Sequence, residues 1–81
     1  MYELEIIGLG DRKVGEKNGK ITDCVTVAFR YHDERMHGYN CGTCLVSGKY
    51  LDQGLNVGSY CNAVVMFKDY KPYIYCIIDI M

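Results

Sequence analysis

Three groups of side chains in this 81-residue chain are of types that could do chemistry. The first is cationic: Arg12, Lys13, Lys17 and Lys20 stand among residues 11–20 with only Asp11 and Glu16 opposing them, a local charge of +2. Lysines on a glycine-punctuated segment can meet phosphate oxygens and displace counterions. The second is aromatic: Tyr70, Tyr73 and Tyr75 lie within a few residues of Lys68 and Lys71. Flat rings on a strand surface can stack on unpaired bases, each for roughly 1–3 kcal/mol, and favour single strands because duplex bases already stack on one another. The third is sulfur and imidazole: His37, Cys41 and Cys44 have the spacing His-x3-Cys-x2-Cys, which Cys61 or His32 could extend to four zinc ligands. On a regular strand, positions three apart face opposite sides, so chelation needs a bend at Gly42. A redox Cys-x-x-Cys belongs at a helix N-terminus, and no such helix is indicated here.

Catalysis finds no support. Two histidines and scattered carboxylates make no triad. Gly8-Leu9-Gly10 lacks the third glycine and following helix of a dinucleotide fingerprint, no phosphate loop occurs, and no cofactor is implied.

The elements that must position these groups read as strands. Tyr2-Glu3-Leu4-Glu5-Ile6 alternates apolar and charged residues, the period of a half-buried strand. Asn18-Gly19 predicts a tight hairpin turn. Residues 21–31 are β-branched and aromatic, with Ile21, Val25, Val27 and Phe29 on one face and Thr22, Thr26 and Arg30 on the other. A third strand is expected over residues 36–46, where Gly38 and Gly42 suggest a bulge or bend. Residues 47–54 have room for one or two helical turns, with Ser47 as cap and Gly54 as stop. A fourth strand is expected over 57–67 and a fifth over 73–80. In the fifth, Ile74, Cys76, Ile78 and Ile80 share one face, and Tyr73, Tyr75, Ile77 and Asp79 the other. Three strands, a short helix and two strands predict an all-β domain over residues 1–81: a small five-stranded OB-like barrel with a protruding basic β-hairpin. A six-stranded SH3-like barrel is the competing arrangement.

A net charge of −1 excludes a strongly basic nucleic-acid binder, so any such binding must come from a local patch. Apolar residues at 49% and charged residues at 23% exclude disorder. No apolar run reaches the ~20 residues of a membrane-spanning helix, and the acidic start does not read as a signal peptide. Five cysteines cannot all pair internally, and the expected compartment is the cytoplasm, with the thiols reduced.

The C-terminal third resembles the gene V type of single-stranded-DNA-binding proteins of filamentous phages. The matching residues are Gly58-x-Tyr60, Phe67-Lys68 seven residues after that tyrosine, and then a turn and an apolar strand. The N-terminal half is similar in outline, with alternating acids in the first strand and Asn18-Gly19-Lys20 leading into the second. The resemblance implies an OB-type barrel that forms twofold dimers and coats single strands. It places the basic hairpin on residues 12–20 and an aromatic near Tyr70 or Tyr73. Ile21, Thr22 and Asp23 stand where that family has a DNA-contacting aromatic after the hairpin.

The sequence thus predicts a non-catalytic protein that binds single-stranded DNA, with RNA not excluded, as a homodimer. Arg12, Lys13, Lys17, Lys20, Lys68 and Lys71 are expected to meet phosphates, and Tyr70, Tyr73 and Tyr75 to meet bases. The alternative is a small interaction or inhibitor module that docks a partner protein by an edge strand or a tyrosine patch.

Overall fold

Alternation in the first strand becomes burial in the computed structural model, which describes residues 1–81. In β1 (Tyr2–Leu9), Leu4 and Ile6 are fully buried while Glu3 and Glu5 face outward. β1 pairs antiparallel with both β3 (Lys20–His32) and β5 (Tyr60–Lys68), which makes it a central strand. An extra residue at Ile7 breaks the β1–β3 register and pushes that isoleucine to the surface.

The remaining elements are β2 (Lys13–Lys17), β4 (Tyr39–Ser47), one helical turn α1 (Lys49–Asp52) and β6 (Lys71–Ile80). They form a six-stranded sheet in the order β2-β3-β1-β5-β6, with β4 paired to β3. The sixth strand is the outgoing limb of the basic hairpin, which pairs with the start of β3 from Lys17↔Lys20 to Lys13↔Cys24. All of β2 is exposed. β3 is long enough to serve two roles: residues 20–24 complete this arm, while Val25, Val27, Phe29 and Tyr31 point into the core. Ile21, expected on the buried face, lies on the arm beyond the reach of the core and is exposed.

The core is one cluster joining these β3 residues to Leu4, Ile6, Leu55, Cys61, Ala63 and Ile74, among others. Each large side chain buried there contributes about 1.5–3 kcal/mol. Tyr31 stacks against Phe29, and the Asn40 amide donates to its hydroxyl at 3.3 Å.

The sheet is not closed. β4 and β6 lie side by side, but no backbone ladder joins them. Two edge N–H groups of β6 are satisfied by side chains instead: Ile74 donates to Cys44 Sγ at 3.3 Å and Ile77 to the Tyr50 hydroxyl at 3.2 Å. Gly42 makes this approach possible, because a Cβ there would sit 2.8 Å from Phe29 Cζ and 2.9 Å from the Pro72 carbonyl oxygen. Gly42 therefore marks a close backbone approach. The bulge expected there is absent, since the β3–β4 register runs unbroken from Cys24↔Ser47 to His32↔Tyr39.

Two other expectations shift. β5 begins at Tyr60, later than expected, because Asn56 and Ser59 close a turn across Gly58, which has φ +90°. In β6, extra residues at Tyr75 and Ile78 shift the pairing with β5 twice. The simple alternation fails there: Ile77 is buried at 8% exposure and Ile78 stands out at 56%. No helix is long and apolar enough to cross a membrane.

Candidate nucleic-acid interface

The arm is built around Asn18 and Gly19, whose φ values of +54° and +78° suit the tight two-residue turns that join twisted strands. This turn sets Lys17 directly opposite Lys20. Because residues paired across a ladder share a face, Lys13, Lys17, Lys20, Thr22 and Cys24 project to one side of the arm. Val14, Glu16, Ile21 and Asp23 project to the other.

Arg12 anchors the base of the arm. Its guanidinium donates to Asp23 at 2.8 and 2.6 Å and to Asp52 of α1 at 2.7 and 3.1 Å. These hydrogen bonds raise the Arg12 pKa and hold both carboxyls below their usual range. Gly48 leaves room for the Asp23 carboxylate, with which any side chain would collide. Arg12 is thus occupied within the protein, unlike the lysines grouped with it on sequence grounds.

The other arginines are occupied as well. Arg30 binds Glu5 at 2.6 Å and lies 4.5 Å from the Tyr39 ring centroid, and Arg35 binds the buried Asp33 at 2.9 Å and covers the Phe67 ring. Asp33 also accepts from the Arg35 backbone N–H and from Asn40, and its pKa is depressed chiefly by the Arg35 side chain. Every arginine is therefore ion-paired, while none of the lysines at positions 13, 17, 20, 49, 68 and 71 has a carboxylate within 4.0 Å.

A second cationic group sits at the β5–β6 hairpin. Its turn, Asp69-Tyr70, sets Lys68 directly opposite Lys71. Both turn residues lie in the left-handed region, with φ of +52° and +65°. A tyrosine at such a φ is an outlier that costs about 1–3 kcal/mol. Its ring is 100% exposed, so no burial offsets that cost. Beside it, a shallow groove of about 330 Å³ is lined by Thr43, Lys68, Asp69, Lys71, Pro72 and Tyr73. Tyr73 is half-buried in β6, and Tyr75 is pushed out by its bulge to 68% exposure.

The arm and the last strand meet at the unladdered seam. A groove of about 310 Å³ there is lined by Cys24, Leu45, Ser47, Lys49, Tyr75 and Cys76, among others. Cys24 pairs with Lys13 and shares its face, so the lysine side of the arm runs into the surface carrying Tyr75 and then Tyr73. Of the residues singled out in the sequence, Lys13, Lys17, Lys20, Lys68, Lys71, Tyr73 and Tyr75 fall on or beside this surface. Tyr70 sits in the turn at one end and lines neither groove, and Arg12 braces the arm.

Lys49 was not apparent from sequence. It joins the track only because α1 packs beside the seam, with its ammonium 5.5 Å from the Tyr50 ring centroid. A second aromatic groove, of about 290 Å³, also went unsignalled; it is lined by Glu3, Glu5, Arg30, His32, Tyr39 and Tyr60, among others. Those residues become neighbours through cross-strand pairing, since Glu5 lies opposite both Arg30 and Tyr60.

The sulfur group is not gathered. Cys41 faces outward, whereas Cys44 turns in to accept from Ile74, as positions three apart on a continuous strand must. No three His, Cys, Asp or Glu side chains converge as a metal site. Burial pushes the Cys44 and Cys61 thiols up, away from thiolate chemistry. No protein family, curated protein or solved structure matches the chain.

Proposed function

We propose that the protein binds single-stranded nucleic acid without catalysing a reaction, laying the strand along the lysine–tyrosine surface from the arm to the β5–β6 hairpin. One observation carries this reading: all the lysines are left without carboxylate partners, and they border one surface that also presents Tyr73 and Tyr75, with Tyr70 exposed in the turn at its end. Unpaired ammonium groups release counterions to phosphates, and the rings offer sequence-tolerant stacking. Of the acids that make the net charge −1, Glu5, Asp23, Asp33 and Asp52 are paired with arginines, Glu3 and Asp79 lie on the β1–β5–β6 side, Glu16 lies on the reverse face of the arm, and Asp69 stands within the surface at the β5–β6 turn.

The strand order supports an OB-type reading of the fold. With the arm set aside, the barrel strands lie in the order β4-β3-β1-β5-β6, third-second-first-fourth-fifth along the chain, and β6 lies beside β4 where such a barrel would close. In that reading the arm is the connection between the first two barrel strands, and Asp69-Tyr70 the connection between the last two. These two loops flank the face on which OB domains bind oligonucleotides. The gene V-type resemblance belongs to the same proposal.

Titration of tyrosine fluorescence with oligothymidylate at two salt concentrations tests the function. We expect quenching, with log K falling by about 0.7 per log unit of salt for each phosphate neutralised. Absence of binding at low salt overturns the reading.

A partner protein is the second reading, favoured by one feature: Val14 and Ile21 stand exposed on the reverse face of an arm whose β2 edge is unpaired. The proposed homodimer would use such a surface. Sedimentation of Val14→Ser/Ile21→Ser against the parent protein tests the homodimer, and an unchanged oligomeric state removes this face as its interface.

A further inference from the structure

The two hairpin tips repeat one arrangement. Lys17-Asn18-Gly19-Lys20 and Lys68-Asp69-Tyr70-Lys71 are both two-residue turns that set a lysine directly opposite a lysine. Like charges facing each other across a ladder are destabilising. Neither pair is relieved by a carboxylate within ion-pairing distance. Two lysines whose Cβ atoms lie about 5 Å apart across a ladder can bring both ammonium groups to one anionic group, and the molecule has two such pairs.

These sites stand at opposite ends of the proposed track. β4 and β6 run parallel: Gly42 meets Pro72, Cys44 meets Ile74 and Tyr50 meets Ile77. Following β6 from Lys71 to Tyr75 therefore leads to the seam groove that Cys24 lines, and β3 leads from Cys24 back out to Lys20. Each leg is four residues, about 13 Å at a rise of ~3.3 Å, and crossing the intervening strand adds roughly 10 Å. The sum of roughly 35 Å fits within the 45 Å long axis of the molecule.

Resting on the proposed function, we infer that the ligand is an extended single strand clamped by phosphate at both hairpin tips, so that binding has a length threshold. Each phosphate advances about 3.4 Å along the axis of a stacked strand and about twice that when the strand is stretched. About five such steps span six phosphates, so a stretched strand needs about seven nucleotides to reach both tips, within the roughly 4–16 covered by one OB unit. A shorter oligomer reaches one tip only, and a longer one gains the second contact at high effective concentration.

The test is titration of the full chain with oligothymidylates of three and eight nucleotides at low salt, repeated with oligouridylates. The parent protein should bind the octamer at least about tenfold more tightly than the trimer, beyond the statistical gain from extra registers. The step should be the same for both sugars, because the clamps touch phosphate only. Lys17→Gln/Lys20→Gln and Lys68→Gln/Lys71→Gln should each remove the step and leave trimer binding at the intact tip. Thermal melts confirm that both variants fold, and single Lys20→Gln and Lys71→Gln changes serve if one does not. Equal affinity for trimer and octamer, or a step that survives either double change, overturns the two-clamp inference and leaves the proposed function standing. No binding of any oligomer overturns both.

Discussion

The two hairpins solve the same problem with different materials. Each reverses the chain in two residues and ends in facing lysines. The arm uses Asn18-Gly19, residues that tolerate positive φ at little cost. Its strands have no core behind them and are held at the base by Arg12, Asp23 and Asp52. The β5–β6 tip is braced by Pro72, which packs beside Gly42, and by Ile74 in the core. That bracing lets it carry Tyr70 in a conformation tyrosine rarely adopts. An unsupported hairpin needs a relaxed turn, whereas a supported one can hold strain, and here the strained residue is the most exposed aromatic of the chain.

The largest effect that could break this contrast is at Gly42. Gly42→Ala places a methyl against Phe29 and the Pro72 carbonyl, and we expect a loss of about 2–3 kcal/mol in urea unfolding. Amide exchange should accelerate around the β5–β6 tip more than in the arm. Next comes Cys44→Ala, which leaves the Ile74 N–H without an acceptor on the seam and should cost about 1–3 kcal/mol. Cys44→Ser should recover part of that, and equal melts for the two variants would show that the thiol is not a significant acceptor. Tyr70→Gly should raise stability by about 1 kcal/mol through relief of positive φ, while weakening oligonucleotide binding. Asn18→Leu should lower stability by a similar amount, since the arm lacks comparable bracing.

Acid should loosen the arm before the tip. Asp23 and Asp52 are held below their usual range by hydrogen bonds to Arg12, so their contribution is complete above the unfolded carboxylate value of about 3.9. It is lost as pH falls through the lowered folded values. Asp33, held down by Arg35, behaves the same way in the β3–β4 loop. The β5–β6 tip has no ion pair to lose. Exchange measured between pH 5 and 2.5, corrected for intrinsic rates, should show arm amides losing protection first, and the order should disappear in Arg12→Met.

Local chemistry was legible in the chain. The alternation of Leu4 and Ile6 with Glu3 and Glu5 depends on a period of two that one strand carries by itself, and Asn18-Gly19 specifies its turn through φ alone. The all-β class, the basic hairpin and the single helical turn follow from such signals. Tertiary structure decided the rest. Bulges at Tyr75 and Ile78 exchange the faces of β6, because pairing with β5 and packing on the core override simple alternation. Ile21 reads as core until the arm is seen to extend past it. Whether a cation is free depends on which carboxylates the fold brings within reach, so Arg12 is taken and Lys49 is not. Residue type and spacing determined what each segment can form. Only three-dimensional proximity, which acts between positions far apart in the chain, determined which charges and rings remain available.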